Sequence, residues 1–390
     1  MKNNKVIKIA VLSIYFVLMS AGAVNPALAS IAAAFPDVSF TTILLISTLP
    51  QLLSVPATLA AGRLAGSIIK YKTLLTWGMI LFVVGGVAPY FIKDITNIIV
   101  MRAVYGIGLG LVMPMGMALA IAYFDGEERE KMIGSGTLMQ NVGGIFFTLI
   151  AGLMASVTWN LTFLVHTFGI FTIILTLFLP EPDKVQVGQN AEGVPRMPII
   201  VYGLTLFIFV VMVLFMPMML NMSSVILERG MGNAASSGLV LTVFTVGGMI
   251  AGALFAKVYK VFNTTTFSIG LGSAAIGLAA MAYGNTILFM YVATFFSGFG
   301  TGLIIPAIFV TIGMKVHPTQ ISMATGIVLA ALNSAAFPTP YIIAFISGLL
   351  GQSNNSQFPY IFGMIGYLSL AVLAVLFLSR NKKLVQVKEQ

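Results

Sequence analysis

Long apolar runs follow one another along almost the whole chain, separated by short polar or charged stretches. Each run is close to the roughly 20 residues that a helix needs to cross the hydrocarbon core of a bilayer. None shows the strict alternation, about ten residues long, that marks a strand of a membrane barrel. The pattern therefore predicts twelve transmembrane helices, numbered here as spans 1 to 12, near residues 7–34, 40–62, 73–92, 96–124, 132–155, 158–179, 198–222, 236–256, 265–284, 287–313, 321–348 and 359–379.

The composition excludes an ordinary soluble protein. Hydrophobic residues make up 58% of the 390 residues, charged residues make up only 8%, and the mean hydropathy is +1.02. A soluble domain carries about 25% charged residues. The chain has no cysteine, so disulfides and thiolate metal sites are excluded. These properties indicate an all-α polytopic membrane protein.

Lysine and arginine are distributed unevenly between the two sides of the predicted bundle. All except Lys93, Arg102 and Arg229 fall in segments on the side of the N-terminus. Positive charge near span ends resists translocation, so both termini are predicted to lie in the cytoplasm, with the protein in the cell (inner) membrane. This bias also explains the net charge of +9 without a nucleic-acid partner. The apolar run continues past Ala29, so we expect the first span to be retained and not cleaved as a signal peptide.

The sequence repeats one signature at half its length. Span 4 contains Gly106-x-Gly108-x-Gly110-Leu111, and span 10 contains Gly298-x-Gly300-x-Gly302-Leu303. The longest polar stretch separates the first six spans from the last six. We therefore predict two six-helix bundles related by a pseudo-two-fold axis along the membrane normal. Their predicted boundaries are an N-terminal bundle at 1–180, a cytoplasmic linker at 181–197, a C-terminal bundle at 198–380 and a cytoplasmic tail at 381–390.

Three stretches carry a resemblance to a known family. Ile98-x-x-x-Arg102-x-x-x-Gly106-x-Gly108 resembles the span 4 signature of the major facilitator superfamily. Asp125-Gly-Glu-Glu-Arg129, followed by Met132-Ile-Gly134, resembles the loop into span 5 in the twelve-span drug:proton antiporter branch. Trp159-x-x-x-Phe163-Leu-Val-His166 resembles that branch's opening of span 6, with histidine where asparagine is usual. The loop after span 2 departs from the family pattern Gly-x-Leu-x-Asp, because glycine stands at position 66.

The resemblance implies a secondary transporter that works by alternating access about a site near the membrane midplane. Its expected activity is proton-coupled export of small amphipathic compounds. It also implies an inner gate at the loop after span 2, while close helix approach at the repeated glycines would allow sliding. The predicted gating residues are Gly62, Leu64, Lys70, Gly106, Gly110, Gly298 and Gly302.

Apart from Lys8 at the very start of span 1, Arg102 is the one charged residue inside a predicted span. It lies roughly 9 Å from the outer end of span 4, at 1.5 Å per residue. A charged side chain in hydrocarbon costs at least about 2.5 kcal/mol, so it should face water or a partner. The resemblance implies a role in substrate binding or proton transfer. The alternative is an arginine that snorkels to the interface or packs against backbone carbonyls.

Proton coupling through a side chain normally requires a carboxylate or a histidine inside the membrane. In the predicted topology every acidic residue lies outside the hydrocarbon core, and only His166 qualifies. Histidine changes charge near neutral pH, although a hydrogen-bonded packing histidine is the favoured alternative. The candidates for proton coupling are Arg102, His166 and Glu228.

The other candidates for substrate binding are amides and aromatic residues near span centres. Buried amides need partners, which either a substrate or a neighbouring helix can supply. Asn25 precedes Pro26, where a loosened turn would expose carbonyl groups, the alternative being an ordinary proline kink. With Arg102, the predicted substrate-binding residues are Asn25, Gln51, Tyr105, Gln140, Asn141, Phe244, Asn333, Phe337 and Tyr341.

Catalysis and ATP-driven pumping are disfavoured. No glycine loop precedes a lysine and a hydroxyl residue, and no His, Asp and Glu cluster has metal-binding spacing. We therefore expect no enzyme activity, cofactor or metal. The expected partners are a small-molecule substrate, the lipid bilayer and protons as the coupling ion, with the protein a monomer. Two alternatives stay open: a carrier of a small organic anion anchored by Arg102, and a non-transporting receptor or lipid-handling protein.

Overall fold

A computed structural model describes residues 4–182, 197–317, 320–353 and 355–388, and nearly all of them are helical. Within these ranges, eleven helices are long and apolar enough to cross a membrane, and a twelfth crossing is a bent helix pair. The same ranges contain no strand beyond an isolated bridge between Ala65 and Ile69. The predicted all-α polytopic fold is confirmed. Most of the predicted linker at 181–197 lies outside the described residues.

The observed spans agree with the predicted ones in number and order. In chain order they cover Lys5–Ala34, Phe40–Leu64, Tyr71–Phe91, Ile95–Tyr123, Gly126–Val157, Trp159–Leu177, Ile199–Glu228, Ala234–Phe262, Thr266–Tyr283, Ile287–Lys315, the pair Met323–Ser334 and Thr339–Leu349, and Phe358–Val375. Span 4 consists of two helices, Ile95–Val112 and Met115–Tyr123, and the helix of span 12 continues to Lys388.

Span 5 begins earlier than the sequence predicts, at Gly126 and not near residue 132. Glu127 and Glu128 lie in the first turn, where negative charge favours a helix N-terminus. Arg129 forms an ion pair with Asp125, and Lys131 forms one with Glu127. In each pair the partners are four residues apart, and the charged atoms are 2.8 Å apart. The segment expected to be a loop is therefore helical because its charges suit the start of a helix.

Spans 1 and 6 each contain a long 3-10 segment. Leu18–Ala27 has this conformation in span 1, between the α-helices Asn4–Val17 and Leu28–Ala34. Trp159–Phe168 has it in span 6, before the α-helix Gly169–Leu177. Runs of 3-10 helix longer than three or four residues are uncommon and often mark a functional hinge. The two segments contact each other in the interior of the first six spans.

Span 11 is bent by 58°, where the sequence predicts one continuous helix. The α-helices Ile321–Ser334 and Thr339–Leu349 meet at residues 335–338. Pro338 and Pro340 have no N–H to continue the helical ladder, which accounts for the break. The hydroxyl of Thr339 donates to the carbonyl of Ala335 at 2.7 Å and so links the two sides of the bend.

The described residues pack into two compact units. The first unit combines residues of Met1–Glu192 with Leu220–Leu239, and the second combines residues of Gly193–Met219 with Val240–Gln390. In the first unit span 4 packs closely against spans 2 and 3, and in the second unit span 10 packs against span 9.

Glycines set how closely span 4 approaches its neighbours in the first unit. A Cβ atom on Gly106 would lie 2.5 Å from the backbone of Pro50 in span 2. One on Gly108 would lie 2.4 Å from the backbone nitrogen of Phe82 in span 3. Since real Cβ contacts do not occur below about 3 Å, only glycine allows these helices to pack at this separation.

The second unit uses the repeated glycines in the same way. A Cβ on Gly298 would lie 2.0 Å from the carbonyl oxygen of Phe244 in span 8, and one on Gly300 would lie 2.4 Å from that of Gly270 in span 9. The repeated glycines of spans 4 and 10 therefore correspond to the same close helix packing in both units.

We predict that Gly298→Ala lowers the thermal unfolding temperature of the detergent-solubilised protein. The new methyl group meets a backbone carbonyl that cannot rotate away, and overpacking of this kind costs about 1–3 kcal/mol. Gly313→Ala in the same helix is the matched control, because a Cβ there meets no atom within 4 Å. The control should be neutral or more stable by up to about 1 kcal/mol, the helix-propensity gain. Equal melting of both variants would contradict the packing argument.

Candidate functional site

Arg102 is completely buried inside the first unit. Its Nε donates to the carbonyl oxygen of Ile46 at 2.8 Å, and its guanidinium carbon lies 4.1 Å from the centre of the Tyr105 ring. Nη1 and Nη2 have no hydrogen-bond partner among the described residues. The side chain does not reach an interface, so the snorkelling alternative does not describe this conformation. One N–H group is satisfied by backbone, and the terminal groups are not.

The carbonyl that receives Arg102 is free because of a proline. In an α-helix the carbonyl of Ile46 would accept from the N–H group of residue 50, four positions later. Pro50 has no N–H group, so this acceptor in span 2 has no partner within its own helix. Arg102 of span 4 takes the vacant position, and it links the two helices at the level where Gly106 lets them approach closely.

Tyr105 lies between Arg102 and His166. It is fully buried, with the guanidinium over its ring and the imidazole of His166 edge-on to it, at a centroid distance of 4.8 Å. Its hydroxyl lies 2.8 Å from Oγ of Ser20 in the 3-10 segment of span 1. Because Ser20 donates to the carbonyl of Val17, the tyrosine hydroxyl is the donor in this pair. Tyr105 thus links the arginine and the histidine to span 1.

His166 is fully buried in the 3-10 segment of span 6. Its Nδ1 lies 3.0 Å from the carbonyl oxygen of Phe163, and a carbonyl can only accept, so Nδ1 carries a proton. Nε2 has no partner among the described residues. In the neutral ring Nε2 is therefore a vacant proton acceptor that faces the interior of the unit.

Two adjacent glycines of span 3 make room for this arrangement. A Cβ on Gly85 would lie 2.3 Å from the backbone nitrogen of Tyr105, and one on Gly86 would lie 2.6 Å from Cβ of His166. Larger residues at either position would displace the tyrosine or the histidine. The pair therefore positions the site without contributing a polar group.

The site extends to spans 1 and 2 through a short hydrogen bond. Oγ of Ser47 donates to Oδ1 of Asn25 at 2.6 Å, and both side chains are buried. We call Ser20, Asn25, Ser47, Arg102, Tyr105 and His166 the polar cluster. Within the described residues Arg102 forms no ion pair, so the cluster carries a positive charge with no counter-ion.

The predicted amides do not join helices in this structure. The side-chain nitrogens of Gln51, Asn141 and Asn333 each donate to a carbonyl one turn back in their own helix, at 3.3, 3.1 and 2.9 Å. Gln140 is half-buried beside Asn141. No hydrogen bond from these side chains to another helix is found in the described part of the chain. Their role in substrate binding stays a prediction.

The predicted aromatic residues of the second unit lie in two places. Phe244 stacks on Phe215 with a centroid distance of 5.1 Å. Phe337 and Tyr341 flank the bend of span 11 at 5.9 Å, and Tyr341 is exposed. Glu228, the peripheral proton-coupling candidate, is exposed at the end of span 7.

The conformation of the loop after span 2 accounts for glycine at position 66, where the family pattern has aspartate. Gly66 has a φ of +73°, and a Cβ there would lie 2.4 Å from the ring of Tyr71. An aspartate at this position would be strained in the left-handed region and would displace the ring. The predicted gating residues Gly62 and Lys70 are exposed, and Leu64 is half-buried.

A carboxylate reaches this loop from elsewhere in the chain. Glu181, which follows span 6, accepts from the backbone N–H groups of Tyr71 at 2.6 Å and Lys72 at 3.2 Å. These groups begin span 3, where a negative charge is stabilised by the helix dipole. Glu181 therefore ties the end of span 6 to the start of span 3.

Sequence reasoning missed several parts of the site. Ser20, Ser47, Gly85 and Gly86 were not among the predicted residues, although all four hold the cluster in place. The spacing of Pro50 from Ile46 was the signal that could have predicted the free carbonyl, because a proline frees the acceptor four residues earlier. The 3-10 segments gave no comparable signal.

Comparison with known proteins identifies the family. The family model for the Major Facilitator Superfamily matches residues 10–260 and 204–390. A curated relative, "Putative multidrug resistance protein MdtD" of Escherichia coli (strain K12), is 22% identical over 333 residues, which cover 77% of this chain and 65% of the relative. The same protein of Escherichia coli O139:H28 matches to the same extent. The chain thus spans just under two thirds of the length of these relatives.

Solved structures share the fold. A mutant form of the nucleoside transporter NupG has a TM-score of 0.79 at 11% identity, over 95% of this chain and 99% of that chain. A bacterial homologue of the human lysosomal transporter Spinster, in an inward-facing and occupied conformation, has a TM-score of 0.73 at 13% identity, over 97% of both chains.

We predict that Arg102→Gln raises the free energy of unfolding, by about 1 kcal/mol or more, and abolishes transport. Glutamine can place an N–H group where Nε stands, so Ile46 keeps its donor, while the unpaired buried charge disappears. Arg102→Ala is the matched variant, since it leaves the Ile46 carbonyl unpaired at a cost of about 1–3 kcal/mol. Thermal unfolding in detergent compares the stability of both variants with that of the wild type, and substrate uptake into vesicles measures transport. A glutamine variant less stable than wild type would mean that the arginine is structural.

Proposed function

The chain belongs to the Major Facilitator Superfamily, and on that premise we propose that it is a secondary active transporter that exports small amphipathic compounds in exchange for protons. The observation that carries the proposal is the polar cluster, where a buried arginine with unused donors and a histidine with a vacant acceptor contact the same tyrosine. Ionisable groups buried within spans are costly and mark coupling or substrate pathways. Transport would proceed by alternating access. The protein would lie in the cell (inner) membrane, with both termini in the cytoplasm.

The proposed substrate class has two supports. The curated relatives are named as multidrug resistance proteins, at 22% identity. The predicted binding residues combine neutral amides with aromatic rings, which suit amphipathic compounds better than strongly charged ones. In the first unit we propose Asn25, Gln51, Gln140 and Asn141 as substrate contacts, and in the second unit Phe244, Asn333, Phe337 and Tyr341.

Proton coupling would follow from repulsion between two like charges. A proton on Nε2 of His166 would add a positive charge beside the Tyr105 ring, whose face Arg102 already covers. Like charges this close, without a counter-ion, repel each other strongly in a weakly polar interior. Protonation of His166 would therefore favour a state in which Arg102 leaves its present position, and deprotonation would favour its return.

Span 2 would carry this change toward the substrate. When Arg102 moves, it releases the carbonyl of Ile46, the residue next to Ser47. Ser47 holds Asn25 through its hydroxyl and accepts from Gln51 through its carbonyl. Two proposed substrate contacts thus depend on the part of span 2 that Arg102 restrains. The close approach at Gly106 and Gly110 would let span 4 slide along span 2.

A carrier of small organic anions is the second candidate. The unpaired Nη1 and Nη2 favour it, because they form a fork that matches a carboxylate. The enclosure of Arg102 counts against it in this conformation, since the side chain is 0% exposed. An anion would reach the guanidinium only after the polar cluster opened.

We predict that everted vesicles containing the protein accumulate a lipophilic cation such as ethidium when a pH gradient, acid inside, is applied. Collapsing the gradient with an uncoupler should release the accumulated dye, because no other energy source would hold it. Vesicles with the Arg102→Gln variant serve as the control. Accumulation that persists after collapse, or uptake of organic anions alone with no cation transport, would contradict the exporter proposal.

We predict that His166→Asn removes the dependence of transport on the pH gradient, while the protein still binds its substrate. Asparagine cannot take up a proton, but its amide can replace the hydrogen bond to the carbonyl of Phe163. His317→Asn is the matched control, since the chain has only 2 histidines and His317 is exposed. Transport rates across a series of imposed gradients measure the effect. A His166 variant with the wild-type gradient dependence would exclude this histidine from coupling.

A further inference from the structure

A cavity of 650 Å³ opens at the end of the first unit opposite to Glu181. Its walls come from the turn after span 3, the junction between spans 5 and 6, and Ser30 of span 1. It lies where the apolar spans end, because Tyr71–Phe91 and Gly126–Val157 end at its edge and Trp159–Leu177 begins there. The cavity is therefore at the level of the membrane interface and separate from the polar cluster.

The cavity contains hydrogen-bond donors without protein acceptors. Lys93, Trp159, Ser30 and Thr158 line it, and their side chains carry an ammonium group, an indole N–H and two hydroxyls. Among the described residues none of these four groups forms a hydrogen bond or ion pair. The lining includes no acidic residue, and the carboxylate of neighbouring Asp94 caps span 4 by accepting from Asn97. A site with one positive charge, several free donors and no acid suits an anion with several acceptor oxygens.

The aromatic part of the wall is held in place. Trp159 packs edge-on against Phe35 at 5.3 Å and against Phe163 at 6.4 Å. Asn160 donates to the carbonyl of Tyr90, which orders the opposite wall. Tryptophan and tyrosine are frequent at the membrane interface. An aromatic belt alone does not explain the concave shape or the group of unpaired donors.

The rim of the cavity is apolar and exposed. Phe91 is 75% exposed and Val157 is 73% exposed, and both line the opening. In a bilayer these side chains would contact acyl chains directly below the headgroup level. We propose that this cavity binds the phosphate group of an anionic phospholipid, with Lys93 and Trp159 as donors and with the acyl chains leaving along Phe91 and Val157.

The chain provides its own fluorescent probe for this proposal. It has 2 tryptophans, and Trp77→Phe leaves Trp159 as the single reporter. We would reconstitute this variant into phosphatidylcholine vesicles that contain a minor fraction of dibrominated phosphatidylglycerol or, in parallel, of dibrominated phosphatidylcholine. Trp159 should be quenched by phosphatidylglycerol at a fraction about fivefold lower, the enrichment expected from one lysine near an anionic lipid. Equal quenching by both lipids would overturn the proposal.

Two variants control for position and charge. Trp159→Phe keeps Trp77, which is 60% exposed on span 3 outside the cavity lining and should be quenched equally by both lipids. Lys93→Gln in the single-tryptophan background should lose the preference for phosphatidylglycerol. A preference that survives Lys93→Gln would overturn the assignment of the lysine.

A last experiment tests whether the ligand of the cavity is a lipid or a free phosphate compound. Glycerol 3-phosphate and inorganic phosphate would be added to the same single-tryptophan variant in vesicles of unbrominated phosphatidylcholine. The lipid proposal expects no change of Trp159 fluorescence and no competition with brominated phosphatidylglycerol. A saturable response to the soluble compounds that prevents quenching by the lipid would assign the cavity to free phosphates and overturn the proposal.

Discussion

The hydrogen bond from Arg102 to the carbonyl of Ile46 connects the two helices on which the site depends. It exists because Pro50 leaves that carbonyl without a donor in its own helix, and because Gly106 lets the helices approach until a guanidinium can bridge them. The bond satisfies one donor of a buried cation and leaves Nη1 and Nη2 unsatisfied. A buried charge in this condition is costly and stays in place only if the surrounding structure compensates for it. The unsatisfied donors of the polar cluster thus lower the stability of the fold, a cost that proteins commonly carry at functional sites.

Tight packing around Arg102 offsets the free-energy cost of its buried charge. Gly85 and Gly86 of span 3 admit the backbone of Tyr105 and the side chain of His166, so that the cation is covered by an aromatic ring on one side. The 3-10 segments of spans 1 and 6 supply Ser20 and His166, and long segments of this kind often mark a functional hinge. The second unit shares the glycine packing of span 10, but it has Thr294 at the position equivalent to Arg102. The units therefore share their scaffold, and the charge belongs to the first unit.

The fold could be predicted from the sequence because hydrocarbon thickness and backbone hydrogen bonding leave few solutions for apolar runs of this length. The repeated glycines predicted close helix packing, and the structure contains it. Arg102 and His166 could be selected because ionisable residues in spans are rare. Their contact through Tyr105 could not be predicted, since it depends on how far spans 3, 4 and 6 rotate about their axes. The bend of span 11 was missed although Pro338 and Pro340 were visible, because prolines are tolerated within membrane helices and do not fix the size of a bend. The tie from Glu181 to span 3 joins residues far apart in the sequence and had no local signal.

The central claim is that the polar cluster, which contains no carboxylate, exchanges a proton when substrate binds. The most direct test is the number of protons released when the purified protein binds a lipophilic cation, measured in weakly buffered detergent solution with a pH indicator. The account predicts proton release from the wild-type protein and none from the His166→Asn variant at the same occupancy of substrate, because the exchanged proton is bound at Nε2. Equal release from both proteins, or binding by the wild-type protein without any release, would contradict it.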